Sequence, residues 1–196
     1  KNLEGGASAV LTSKLDLAET FLAASAFSSA LPHALAVEHA STVLRLDSLR
    51  AAATVCIVEC LVGLDAGSIM GGGFALLAVE ALDAHARGVL GKGGLSVRTR
   101  ARLCSGKAEL ALGERARRDR AVSERDDPGS NQGGSDGRDA GNQSIDTKRR
   151  NETSKQCDAN ATQPLASAAA SARACCSFSR EAEAHYLLAM KLNETG

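Results

Sequence analysis

Residues 51–90, AAATVCIVECLVGLDAGSIMGGGFALLAVEALDAHARGVL, are the one run of this chain long and apolar enough to seed a core. The sequence grows more polar away from it on both sides. Glu59 is the only charge between Arg50 and Asp65. Leu46, Leu49, Ala53, Cys56 and Cys60 recur at alternating spacings of three and four, which places them on one stripe of a helix. Asp65 to Ser68 and then Gly71 to Gly73 interrupt the run, because each glycine costs about 1 kcal/mol relative to alanine in a helix. Beyond them Phe74, Leu77, Ala81 and Leu82 are apolar, while Glu80, Asp83 and Arg87 gather on the other side. The pattern predicts two helices joined at the glycines, a helical hairpin, with Asp83 and Arg87 spaced for an acid-first pair.

A membrane crossing is the competing use of this block, since residues 51–79 exceed the roughly 20 apolar residues a span needs. Every window of that length includes Glu59 or Asp65, and a central acid costs about 3 kcal/mol on insertion scales. A span is therefore disfavoured.

Only 3% of the chain is aromatic, with no Trp, and its one Tyr is Tyr186. A core made of Ala, Leu and Val without large rings is thin, so marginal stability or completion by a partner is expected. Net charge is zero, but it is unevenly spread. Residues 1–86 carry 4 basic and 9 acidic side chains, residues 87–120 carry 10 and 3, and residues 121–196 carry 9 and 11. Six cysteines are too sparse for a disulfide scaffold and lack metal-ligand spacing, which favours a reduced, soluble intracellular chain. Cys56 and Cys60 read as small core residues.

Residues 13–31 read as a helix capped by Ser13, with Asp16 as the acid of a capping box, Leu17, Phe21, Ala24 and Leu31 as its stripe, and Pro32 as its end. Residues 33–50 continue helical. Gly91-Lys92 lacks both ends of a phosphate-loop motif and reads as a turn. Residues 121–164 are rich in Gly, Ser, Asn and Asp, and cannot bury enough apolar area to offset the entropy of ordering them. Their Asn-x-Ser/Thr triplets at Asn142, Asn151 and Asn160 read as chance in such a composition. Residues 165–192 read as one helix, its last part amphipathic through Phe178, Ala182, Tyr186 and Ala189.

The expected fold is mainly α: a small helical bundle or set of hairpins of about four to five helices. It divides into a helical region over 1–120, a disordered polar linker over 121–164 and a C-terminal amphipathic helix over 165–196. No sequence-local constellation nominates a catalytic site, a metal site or a cofactor. Three functional readings remain. The first is an α-helical interaction or assembly protein, acting with a protein partner or as a homo-oligomer. The second is nucleic-acid binding through Arg98, Arg100, Arg102, Arg115, Arg117, Arg118 and Arg120, whose clustering suits phosphate contact but lacks interleaved aromatics. The third is an unselected reading frame, suggested by abrupt shifts of composition and by glycines inside the apolar block.

Overall fold

The computed structural model describes residues 2–66, 73–86, 88–125, 156 and 160–195. Among these it holds seven α-helices and no strand, so the class is as expected but the number of helices exceeds four to five. The helices are α1 (Asn2–Ala23), α2 (Phe27–Val43), α3 (Asp47–Ala66), α4 (Gly73–His85), α5 (Leu95–Arg125), α6 (160–174) and α7 (Phe178–Thr195). A 3-10 turn, Leu90–Lys92, leads into α5. The polar stretch expected to be disordered lies, from 126 to 155, outside the described residues. Arg87, the expected partner of Asp83, lies outside them too.

The extra helices come from breaks that the sequence does not advertise. Ser25, Arg45 and Cys176 each take a left-handed backbone conformation, at φ 57°, 55° and 54°. Each residue's amide donates to the carbonyl three positions back: Ser25 to Leu22 at 2.9 Å, Arg45 to Thr42 at 3.3 Å, Cys176 to Arg173 at 3.1 Å. The following amide reaches five back, from Ala26 to Phe21, Leu46 to Ser41 and Ser177 to Ala172, at 2.8–2.9 Å. This is the Schellman closure, which satisfies orphan helix carbonyls and usually employs glycine. Three-residue connections then return α2 against α1, α3 against α2, and α7 after α6.

Several expectations about α1 and α2 need correction. Ser13 is not a cap; it lies inside α1, and its hydroxyl donates to the Ala9 carbonyl at 3.1 Å. Pro32 does not end a helix but sits within α2. The break falls at Ser25, where Phe21 and His33 stack across the turn with ring centroids 5.6 Å apart. The buried stripe of α1 is Leu11, Leu15 and Ala18, with Leu17 left 43% exposed. The 4-3 spacing of that first set faces α2 and α3, and Leu17 falls off it.

Three apolar clusters form a chain through shared helices. Leu11, Leu15, Ala18, Ala34, Val37, Ala53 and Cys56 join α1, α2 and α3. Val55, Val58, Ala75, Ala78, Leu82, Ala101 and Cys104 join α3, α4 and α5. Leu103, Ala161, Leu165, Ala168, Ala169 and Ala184 join α5, α6 and α7. The expected α3–α4 hairpin is therefore present, and α3 and α5 each serve two clusters. Among the described residues 14 of the 26 buried hydrophobic ones are alanine, so the helices must approach closely to leave no voids. Glycine completes that approach at two crossings. A Cβ on Gly106 would stand 2.4 Å from Leu165 Cγ, and one on Gly63 would stand 2.4 Å from the Phe27 ring. No described helix is long and apolar enough to cross a membrane.

A left-handed conformation costs a non-glycine residue about 1–2 kcal/mol, and the exposed Arg45 side chain has no hydrogen bond or ion pair among the described residues. Arg45→Gly is predicted to raise stability by about 0.5–1 kcal/mol in urea unfolding, after the entropy glycine gains in the unfolded chain is subtracted. Destabilisation would show that the turn is held by Arg45 itself.

Candidate functional site

The arginine-rich face of α5 was the sequence's main functional signal, and the helix deals with its arginines in three different ways. Neighbouring arginines here diverge, because side chains one or two positions apart on a helix do not share a face. Arg100 turns inward. Its side chain is only 12% exposed; Nε donates to Glu59 Oε1 of α3 at 3.0 Å, Nη2 donates to Glu59 Oε2, and Nη1 donates to Glu19 Oε1 of α1 at 2.6 Å. Burial alone would lower the Arg100 pKa, but the two carboxylates outweigh it and raise it, so this cation stays charged. The fork on Glu59 is bidentate, a geometry lysine could not reproduce.

Further along α5, Arg115 lies 3.8 Å from Asp119 and Arg118 lies 3.6 Å from Glu114, exposed pairs one helical turn apart. Such pairs contribute about 0.3–0.5 kcal/mol each. Arg117 also has an interaction within the protein. Arg120 has a buried Nε with no hydrogen-bond partner among the described residues. Arg98 and Arg102, one turn apart, form the third group. No described carboxylate lies within ion-pair distance of either, and the one described polar partner is the Ser171 hydroxyl of α6, to which Arg102 Nη1 donates.

A cavity of about 420 Å³ surrounds the inward group, lined by Glu19, Phe27, Glu59, Arg100, Cys104 and Lys107 among others. It contains two carboxylates and a thiol, but their surroundings argue against acid–base or nucleophilic work. Both carboxylates are held by the same guanidinium. Burial pushes the Cys104 thiol well above its usual range, away from the reactive thiolate. Lys107 is itself paired with Glu183 of α7 at 2.5 Å. The cavity is a junction where α1, α3, α5 and α7 meet. Cys56 and Cys60 are fully buried, and hydrogen bonding between them together with burial pushes the Cys56 thiol far up. Among the described residues no group of three or more His, Cys, Asp or Glu could hold a metal ion. Comparison of the chain with protein-family models, curated proteins and solved structures gives no match.

The sequence missed the Arg100 junction because Glu19 and Glu59 lie 81 and 41 residues away along the chain. One signal was available: Glu59 is the one charge between Arg50 and Asp65, in the apolar stretch of α3, and a carboxylate placed there needs a partner. Removing only one member of this group should be costly. Arg100→Met is predicted to lose about 2–3 kcal/mol in urea unfolding, below the full figure for a buried pair because Glu19 is partly exposed. Adding Glu59→Leu should recover most of the loss. A single Arg100→Met substitution without effect would show that the group contributes no net stability.

Proposed function

We propose that the chain is an α-helical interaction protein that binds another protein chain through the outward face of α7. The observation that supports this is the placement of its few aromatic rings. None of the five is buried, and three are largely exposed: Phe178 at 73%, Tyr186 at 63% and Phe74 at 40%. Aromatic side chains are the most valuable core residues a chain of this composition owns, and they are also the residues enriched at protein interfaces. On α7 the exposed residues Phe178, Ala182, Tyr186, Ala189 and Met190 follow helical spacing, while Ala184, Leu187 and Leu188 pack inward. The helix is thus apolar on two faces and uses only one of them in the fold.

A groove of about 330 Å³ continues that face. Val62, Leu110, Ala111, Leu187 and Met190 line it beside the charged Asp65, Lys107, Glu114, Arg117, Arg118 and Lys191, of which Asp65 and Lys191 are buried. Apolar and charged side chains side by side are what a partner helix with an amphipathic face would meet. On α4, Phe74 and Leu77 of the expected inward set are 40% and 50% exposed, because Ala75, Ala78 and Leu82 provide the close contact with α3 and α5.

Sedimentation velocity of the full chain over a wide concentration range tests the simplest form of this reading, in which the partner is a second copy. Concentration-dependent association is expected, and Phe178→Ser with Tyr186→Ser should weaken it at least tenfold, since two anchoring aromatics contribute more than about 1.4 kcal/mol. The helical circular dichroism should be unchanged. A chain monomeric at every concentration would contradict self-association.

A further inference from the structure

We propose that Arg98 and Arg102 on α5, with Ser105 on the same helix and Gln163 and Ser167 on α6, form a binding site for a small phosphate monoester. Two adjacent cavities meet here. One, of about 260 Å³, is lined by Leu82, Leu90, Ala101, Asp83, Arg98 and Arg102 among others. Its neighbour, of about 380 Å³, is lined by Arg102, Ser105, Asn160, Gln163, Pro164 and Ser167. Arg102, Ser105 and Pro164 border both, so Arg102 stands between them.

The donors are already arranged. Residues 98, 102 and 105 lie at spacings of four and three, on one face of α5. The Arg102 guanidinium is fixed by the Ser171 hydroxyl, which is 8% exposed and donates in turn to the Ser167 carbonyl at 2.8 Å. That chain spends one guanidinium edge on the protein and leaves further N–H donors for a ligand. Neither arginine is neutralised by a described carboxylate, unlike Arg100, Arg115 and Arg118 on the same helix. Two guanidiniums one turn apart, with hydroxyl and amide groups beside them, match the tetrahedral oxyanion of a phosphate. Leu82, Leu90 and Ala101 give the first cavity an apolar wall for the organic part of an ester.

Asp83 on that wall opposes an anion. Glu109 stands nearby, and burial followed by the Asp83 charge pushes its carboxyl up. Attraction to the two arginines and repulsion from Asp83 both scale with ligand charge, so where the arginines prevail a dianion gains more than a singly charged phosphodiester.

The test is a proton–nitrogen NMR titration of the full chain with phenyl phosphate at constant ionic strength, with dimethyl phosphate as the diester control. Saturable shifts at residues 98–105 and 163–167 are expected with phenyl phosphate. Arg98→Ala should weaken binding about fivefold to tenfold, the loss of one exposed charge-assisted contact. The Arg98 side chain has no hydrogen bond or ion pair among the described residues, so this variant separates binding from folding. Asp83→Asn should tighten binding about twofold to threefold by removing a like charge. Absence of saturable shifts, or an Arg98→Ala affinity equal to that of the parent chain, would overturn the proposal. Equal affinity for dimethyl phosphate would overturn it in favour of a phosphodiester backbone, and so of nucleic acid.

Discussion

The structure depends on the burial of α3 on more than one side. This helix packs Ala53 and Cys56 toward α1 and α2, and Val55 and Val58 toward α4 and α5. A helix used in this way cannot keep a bare carboxylate, and Glu59 is tolerable only because Arg100 reaches it with two donors. Arg100 also takes Glu19, so one guanidinium joins three helices distant in sequence. A buried ion group of this kind is weak evidence for stability but strong evidence for register. Sliding α5 by one residue would carry Arg100 away from both acids.

Around that contact the chain builds its core from small side chains. Alanine crossings and the glycine contacts at Gly63 and Gly106 let helices approach closely, and Leu165 fills the space a Cβ on Gly106 would take. The consequence is a division of labour among residue types. Ala, Val and Leu close most of the interior, while Phe74, Phe178 and Tyr186, which could have enlarged it, stand at the surface. The same economy explains why α7 and α4 have apolar residues to spare on their outward faces.

Much of the fold was legible where periodicity spoke clearly. The 3-4-3-4 stripe of α3 and the glycines after it located the α3–α4 hairpin, and Cys56 and Cys60 are buried as expected. The breaks at Ser25, Arg45 and Cys176 were not legible, since the left-handed position is occupied each time by a residue with a side chain. Pro32 misled because α2 begins before it, at Phe27, so that it falls within the second turn of a helix instead of at the end of one. On α7 the spacing of Phe178, Ala182, Tyr186 and Ala189 marked an apolar face without saying where it points; the face that packs inward is that of Ala184, Leu187 and Leu188. At the arginine-rich face, composition showed the charges and could not show their partners. Separating Arg98 and Arg102 from Arg100 required the third dimension.

Because α3 and α5 are each shared between two apolar clusters, the described helices should behave as one cooperative unit. Differential scanning calorimetry of the full chain, with helical circular dichroism recorded alongside, tests it most directly. One transition is expected, coincident by both methods, with calorimetric and van't Hoff enthalpies equal. Separate transitions for the α1–α3 and α5–α7 clusters, or a gradual loss of helix with no heat-absorption peak, would contradict it.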